Sequence, residues 1–290
     1  MRITAFITAL ATSCLASAGS VLVLDDDFGN EVVSHLESEG HVVTSLSYRE
    51  WEGNNPAPAA FDLVVLLDGY HHDFELGDEV NSPAYAALES YVTSGGTFLM
   101  TEWVAYDMGM GNGGIPKKLA LEPLVPFEVD EYVSFDYSGT YKVVENSVLT
   151  SGLPASFSLP TDAYGGSCVP LKAGTKTLMT RQFDYYDPPE CPGDNAALVT
   201  MGVGAGTVIW FNSDLGHYDD QPATANHLKV IANAVSYSLI SDVPSVPVPT
   251  LPVGGLLALL TIFGGFGAYR LSDRRNRQVH QERAGSPKRL

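Results

Sequence analysis

The chain has 290 residues, 45% of them hydrophobic, and a formal net charge of -18. That length allows one large domain or two small ones with a full core, and the composition excludes disorder for the bulk of it. The charge is uneven: residues 19–269 hold eight Lys/Arg and 32 Asp/Glu, a net of -24, which repels phosphate backbones and argues against nucleic-acid binding.

The chain opens on "MRITAFITALATSCLASA", with one early positive charge at Arg2 and an apolar run from Ile3 to Leu10. It closes on Ala16-Ser17-Ala18, a small-x-small cleavage site. Residues 1–18 are therefore expected to be an export signal cut by signal peptidase after Ala18. Ala11-Thr12-Ser13-Cys14 offers a rival reading as a lipoprotein box with an acylated Cys14, although its first position lacks the usual Leu. Export would place the body in an oxidising compartment. Cys168 and Cys191 then remain as an isolated pair, most simply a disulfide, with two buried free thiols as the alternative. Such a bridge closes a loop of about 24 residues and would stabilise by about 3 kcal/mol.

"VLVLDDD" (21–27) predicts a buried strand ending in acids. "FGNEVVSHLESEG" carries Val32, Val33 and Leu36 at helical spacing with a Gly40 stop. "HVVTSL" (41–46) predicts a second strand, "YREWEGNNPAPAA" a loop and "FDLVVLLDG" (61–69) a third strand. "SPAYAALESYVTSGG" (82–96) has a Ser-Pro start, a helical stripe of Tyr85, Leu88, Tyr91 and Val92, and a double-Gly stop. "TFLMTEW" (97–103) is a fourth strand. Apolar strands alternating with helices predict a parallel sheet covered on both faces.

After Trp103 a Gly- and Met-rich loop follows, and residues 127–202 then show short alternating segments that predict antiparallel strands. "GTVIWFNSD" (206–214) resumes the α/β pattern. The last helix, "ATANHLKVIANAVSYSLI" (223–240), has apolar positions at Leu228, Ile231, Ala232, Val235 and Leu239. The β-rich stretch is thus inserted in one α/β domain of residues 19–240, or packs on it as an extension.

"SDVPSVPVP" begins a Pro-rich spacer over 241–250. Leu251 to Tyr269 is apolar and uncharged over 19 residues, enough to span a bilayer. Arg270, Arg274, Arg275 and Arg277 follow, which predicts a cytoplasmic basic tail (270–290) and a body on the outside.

Several pieces carry a family resemblance. "FDLVVLL" followed by "ALESYVTSGGTFLMTE", the turn "NSVLTSGLP" (146–154) and "GVGAGTVIWFNSDLGHYDD" (202–220) resemble, in that order, the class I glutamine amidotransferase-like superfamily and its ThuA-like branch. The resemblance covers roughly residues 20–240. It implies a flavodoxin-like sheet with helices on both faces and a site at the C-terminal ends of the strands. Catalytic members carry a Cys on an elbow after a central strand. Here the elbow falls near Glu102 and Trp103, with no Cys or Ser, which argues against amidotransferase or cysteine-peptidase chemistry. Asn146-Ser147 replaces the family's His-Pro at the turn, which weakens transfer of its sugar-related role. The first strands also look like a response-regulator receiver, with Asp25, Asp26 and Asp68 in acidic positions. No Lys stands in place to complete a phosphoryl site, so this reads as shared topology.

The switch-point rule gathers Asp26, Asp68, His71, His72 and Asp214 on one rim as candidate binding residues, with Asp25, Asp27 and Asp73 beside them. Glu102 and His217, the latter in the LGH match, are the catalytic candidates. Such a set could hold Ca²⁺ or a transition metal, or supply an acid/base pair for sugar chemistry. It could equally be helix caps and solvated loop residues. No metal ligands are assigned, and no cofactor beyond that open divalent cation is expected. "YYDPPE" and "YDD" could form an aromatic and acidic carbohydrate-binding surface.

The spacer, apolar run and basic tail resemble bacterial C-terminal sorting signals of the PEP-CTERM and IPTL-CTERM type, with the motif at Val248, Pro249, Thr250, Leu251 and Pro252. Val253-Gly254-Gly255 departs from the usual continuation. The resemblance implies an exosortase-like membrane protease as partner, and a plain membrane anchor is the alternative. The expected function is an exported envelope protein whose non-catalytic body binds or builds. A carbohydrate-active enzyme or metal-dependent hydrolase using the rim is the alternative.

Overall fold

A computed structural model describes residues 18–25, 29–67, 76, 82–101, 104–105, 108, 118–129, 134–136, 139–158, 166–182, 195–213, 215 and 224–241. They lie within one compact unit that ends at Val243.

The α/β pattern folds as its periodicity dictates. The strands β1 (Ser20–Asp25), β2 (Val42–Ser47), β3 (Leu63–Leu66), β4 (Thr97–Met100) and β11 (Gly206–Phe211) are mutually parallel, in the order β2-β1-β3-β4-β11. Strands β3 and β4 are buried throughout, and β1 and β11 are buried except at Ser20 and Thr207, as strands covered on both faces must be. Helix α2 (Pro83–Thr93) covers one face, packing Tyr85, Leu88 and Val92 with Leu22, Val64, Phe98 and Trp210. Helices α1 (Asn30–Ser38) and α3 (Ala225–Ser241) cover the other, where Leu36, Ile231 and Val235 meet Val21, Val65 and Ile209. Ser82 caps α2 by accepting the Ala84 N–H at 3.2 Å, with proline at the first helical position.

The β-rich stretch lies between β4 and β11 in the chain. It lengthens the same sheet. From β11 the order runs on through β10 (Ala196–Val203), β9 (Lys176–Gln182), β6 (Thr140–Val143) and β7 (Ser156–Ser158), every new pair antiparallel. The result is one mixed nine-stranded sheet rather than a purely parallel one. Among the described residues only β5 (Ser134–Asp136) and β8 (Gly166–Cys168) stand apart, as a two-stranded pair. The predicted loop after β2 is also more than a connector: Tyr48 and Trp51 are core residues, and Trp51 Nε1 donates to the Pro56 carbonyl at 2.9 Å.

The start of β1 and the end of α3 meet at the N-terminal edge of the parallel strands. A Cβ on Gly19 would lie 2.6 Å from Val235 Cγ1 and 3.5 Å from Leu239 Cδ1, so α3 finishes beside the start of β1. At the same edge Tyr91 Oη donates toward the carbonyls of Asp62 and Thr97, each at 3.1 Å, and accepts the Thr97 N–H. The strand C-terminal ends form the opposite edge. Among the described residues no helix is long and apolar enough to cross a membrane. The apolar run 251–269, the sorting motif and signal residues 1–17 lie outside them.

Candidate functional site

Parallel register aligns the strand ends. Leu24, Leu66, Met100 and Trp210 form one row across β1, β3, β4 and β11, so the residues that follow leave from one edge. Of the acidic and His residues expected there, Asp26, Asp27, Asp68, His71, His72, Asp73, Glu102, Asp214 and His217 lie outside the described residues. Asp25 is described. It is 8% exposed, and its Oδ2 accepts the Ser45 hydroxyl of the neighbouring β2 and packs against Gly29 at the start of α1. Those contacts make it a joint between β1, β2 and α1. Among the described residues no group of three or more His, Cys, Asp or Glu could hold a metal ion.

The described rim is instead a buried polar knot just past β11. Asn212 is 1% exposed. Its Oδ1 accepts the Ser167 N–H at 2.7 Å, and its Nδ2 donates to the carbonyls of Ser167 at 2.7 Å and Ala196 at 2.6 Å. One carboxamide thus fastens β8 and β10 to the end of β11. Beside it Arg181 of β9, 1% exposed, lies with its guanidinium carbon 5.6 Å from the centre of the Tyr141 ring. Gly166 faces both: a Cβ there would overlap Arg181 Nη1 and lie 3.1 Å from the Asn212 carbonyl oxygen.

The next residue, Ser213, pairs with a histidine. Its Oγ lies 2.9 Å from His227 Nε2, and both side chains are fully buried. A serine beside an imidazole at a strand end invites comparison with a nucleophile and its base. The rest of the ring answers it. The Thr224 backbone N–H donates to His227 Nδ1 at 3.2 Å. A backbone N–H can only donate, so Nδ1 is the bare nitrogen and Nε2 carries the hydrogen. Ser213 Oγ therefore accepts from His227, and the ring has no lone pair turned to the serine. Burial, and then the Arg181 charge, push the His227 pKa down to about 3, so the ring is neutral. The pair is a tie between the end of β11 and the first turn of α3, where the Thr224 hydroxyl also accepts the His227 N–H at 3.4 Å.

Asn212, Ser213, Arg181 and His227 were absent from the sequence-based candidates. Only His227 left a usable signal: it stands four residues before Ile231 and eight before Val235, on the apolar stripe of α3. Cys168 ends β8 at 1% exposure, and Cys191 lies outside the described residues.

No family model and no curated protein matches the chain. Solved structures do match. A ThuA-like protein of Bacteroides uniformis has 13% identity and a TM-score of 0.50, over 76% of this chain and 90% of that one. A cytoplasmic protein of Salmonella typhimurium has 14% identity and a TM-score of 0.54, over 76% of this chain and 98% of that one. A cold-adapted β-galactosidase of Rahnella has 16% identity and a TM-score of 0.50, over 78% of this chain and 32% of that one. The likeness expected from the sequence therefore holds at the level of the fold, which is similar to that of a ThuA-like protein.

Proposed function

We propose that this protein is an exported envelope protein whose ThuA-like body acts as a binding or structural module, and that its C-terminal segment is a sorting signal cut by an exosortase-like membrane protease. The observation that carries the non-catalytic part is the His227 tautomer. The one Ser–His pair among the described rim residues has its hydrogen on the side facing the serine. The elbow positions, Glu102 and Trp103, also supply no Cys or Ser. That the β-galactosidase of similar fold is about three times as long as the matched stretch supports a module.

Support for the two address labels comes from the sequence at both ends and from where the body's ends lie. Ala18 is exposed while Gly19 is buried, so the bond between them sits at the boundary of the packed body. The end of α3 lies beside Gly19, so the two ends of the body come together at the edge opposite the strand-end rim. A Cys168–Cys191 bridge fits an oxidising compartment, and the burial of Cys168 supports it.

Mass spectrometry of the protein from native cells tests this reading by determining both mature termini. The expected product begins at Gly19 and ends near Val248–Pro252. A product that keeps Arg274 overturns the sorting assignment and leaves a plain anchor.

A further inference from the structure

The two edges of the nine-stranded sheet are guarded differently. β7, which ends the antiparallel wing, has three residues and stands between Pro154 and Pro160 in the sequence. A short edge strand with prolines nearby discourages further pairing. β2, at the other edge, has neither guard. It has six residues, "VVTSLS", with no charge and no proline, and its register with β1 runs unbroken from Ser20↔Val42 to Asp25↔Ser47. No bulge turns it away from a partner. Each of its residues is at least partly exposed, and Val42 is 66% exposed.

The hydrogen bonds to β1 fix which backbone groups of β2 face outward. The Val42 N–H donates to the Gly19 carbonyl at 2.9 Å, and the Tyr48 N–H to the Asp25 carbonyl at 3.1 Å. Even-numbered residues therefore turn their N–H and carbonyl toward β1, and Val43, Ser45 and Ser47 turn theirs away from it. The Ser47 carbonyl accepts the Glu50 N–H at 3.2 Å. The outward set is then the N–H and carbonyl of Val43 and of Ser45, and the N–H of Ser47. Among the described residues no strand pairs with this edge, which is a template for one.

The row is complementary to itself. A two-fold axis at Ser45 sets Ser45 opposite Ser45 of a second copy and Val43 opposite Ser47. Ser45 then exchanges both hydrogen bonds with its copy, and each Ser47 N–H meets the Val43 carbonyl of the other chain. Between these pairs Thr44 faces Leu46, on the side where Leu46 packs against the core under α2. This register uses every outward group, and no like charges meet along the uncharged row. Two-fold pairing of one patch with itself is the commonest way for a chain to associate. The row also holds no acid for a basic peptide to read, which favours the copy over such a partner. We propose that β2 pairs antiparallel with β2 of a second copy about an axis at Ser45, joining two nine-stranded sheets into one. The net charge of -24 over residues 19–269 opposes the approach of two bodies, so the dimer is weak and gains from screening by salt. The proposal adds self-association to the module reading above and does not depend on export or sorting.

The test is light scattering on the full chain in detergent over a range of protein concentrations. A dimer that tightens as NaCl rises from about 20 mM to about 300 mM is expected. Ser45→Pro removes the outward N–H without touching a bond to β1, and should raise the dimer dissociation constant at least about tenfold. Ser45→Ala loses the same hydroxyl bond to Asp25 but keeps the N–H, and should stay dimeric. Circular dichroism confirms that each variant is folded. Hydrogen exchange on the unaltered chain needs no variant: the Ser45 and Ser47 amides should slow as protein concentration rises, while those of Thr44 and Leu46 stay slow throughout. A monomer under all conditions, a dimer indifferent to Ser45→Pro, or one that weakens with salt overturns the proposal. If the chain stays monomeric and its Ser45 amide slows only when an alternating Lys-Val octapeptide is added, the edge belongs to a basic partner and the proposal falls while the module reading stands.

Discussion

His227 Nε2 lies 2.9 Å from Ser213 Oγ with both side chains fully buried, and the imidazole is the donor. The polarity of that one hydrogen bond separates a structural tie from a hydrolase dyad. Ser213→Ala should leave the buried Nε2–H without an acceptor and lower stability by about 1–3 kcal/mol. Urea unfolding measures it. A fluorophosphonate probe should fail to label Ser213 in the wild-type protein, and labelling would show that the ring can serve as a base.

The same histidine makes stability depend on pH. Its pKa is about 3 when folded, against an ordinary value of 6.5. Between those values the unfolded chain binds a proton that the folded chain refuses. The stabilising contribution is complete above about pH 6.5 and is lost as pH falls toward 3, with a slope of about 1.4 kcal/mol per pH unit in that window. His227→Gln should be less stable at pH 7 and should lose less on going from pH 7 to pH 4.5. Urea midpoints of the two proteins at both pH values check this, and equal losses would show that other groups set the acid limit.

Gly166 sits where Arg181 and Asn212 leave no room for a side chain. Gly166→Ala should lower stability by about 1–3 kcal/mol through overpacking. Gly202 in β10 has nothing within 4 Å of its would-be Cβ, so Gly202→Ala should be neutral or slightly stabilising. Thermal unfolding of the two variants side by side separates crowding from the general effect of adding a methyl group.

The start of the body makes a fourth stability prediction. Asp62 Oδ2 accepts both the N–H and the hydroxyl of Ser20, each at 2.7 Å, and the Gly19 N–H donates to His41 Nδ1 at 3.1 Å. Cleavage after Ala18 would turn that N–H into an ammonium beside the Asp62 carboxylate. Asp62→Asn should therefore cost more in a chain beginning at Gly19 than in one that keeps residues before it. Melting temperatures of the four proteins test the coupling, and an equal cost in both backgrounds would remove the charge from the explanation.

The parallel half of the sheet was legible because its physics is local. Short apolar runs bounded by Gly, Ser and Asp, with helical stripes between them, left one economical arrangement, and β1 to β4, α1, α2 and α3 follow it. The wing was legible as antiparallel strands but not as a continuation of the same sheet. Its attachment depends on β10 pairing with β11, and no local pattern encodes which edge an antiparallel strand chooses. The knot was hidden for a different reason. Asn212 and Ser213 stand in "FNSD" and look like turn residues, and Arg181 lies in a strand with Lys176 and Gln182 exposed at its ends. Their burial comes from β8 and α3 closing over them, contacts between residues 14 to 45 positions apart. The expected acidic and His rim falls on residues outside those described, apart from Asp25, which serves as a joint.

Strand order also dictates when the body can close as the chain emerges from its N-terminus. The partner of Thr97 in β4 is Thr207 in β11, about 110 residues later, although β1, β2 and β3 are complete long before. Until β11 arrives, β4 is an open edge able to pair with any passing strand. The antiparallel hairpin β10–β11 needs only a short turn at Gly204, so it can form first and dock as a unit. Completion of the fold is therefore a late event, set by one hairpin near the end of the body and sealed by the helix that follows it.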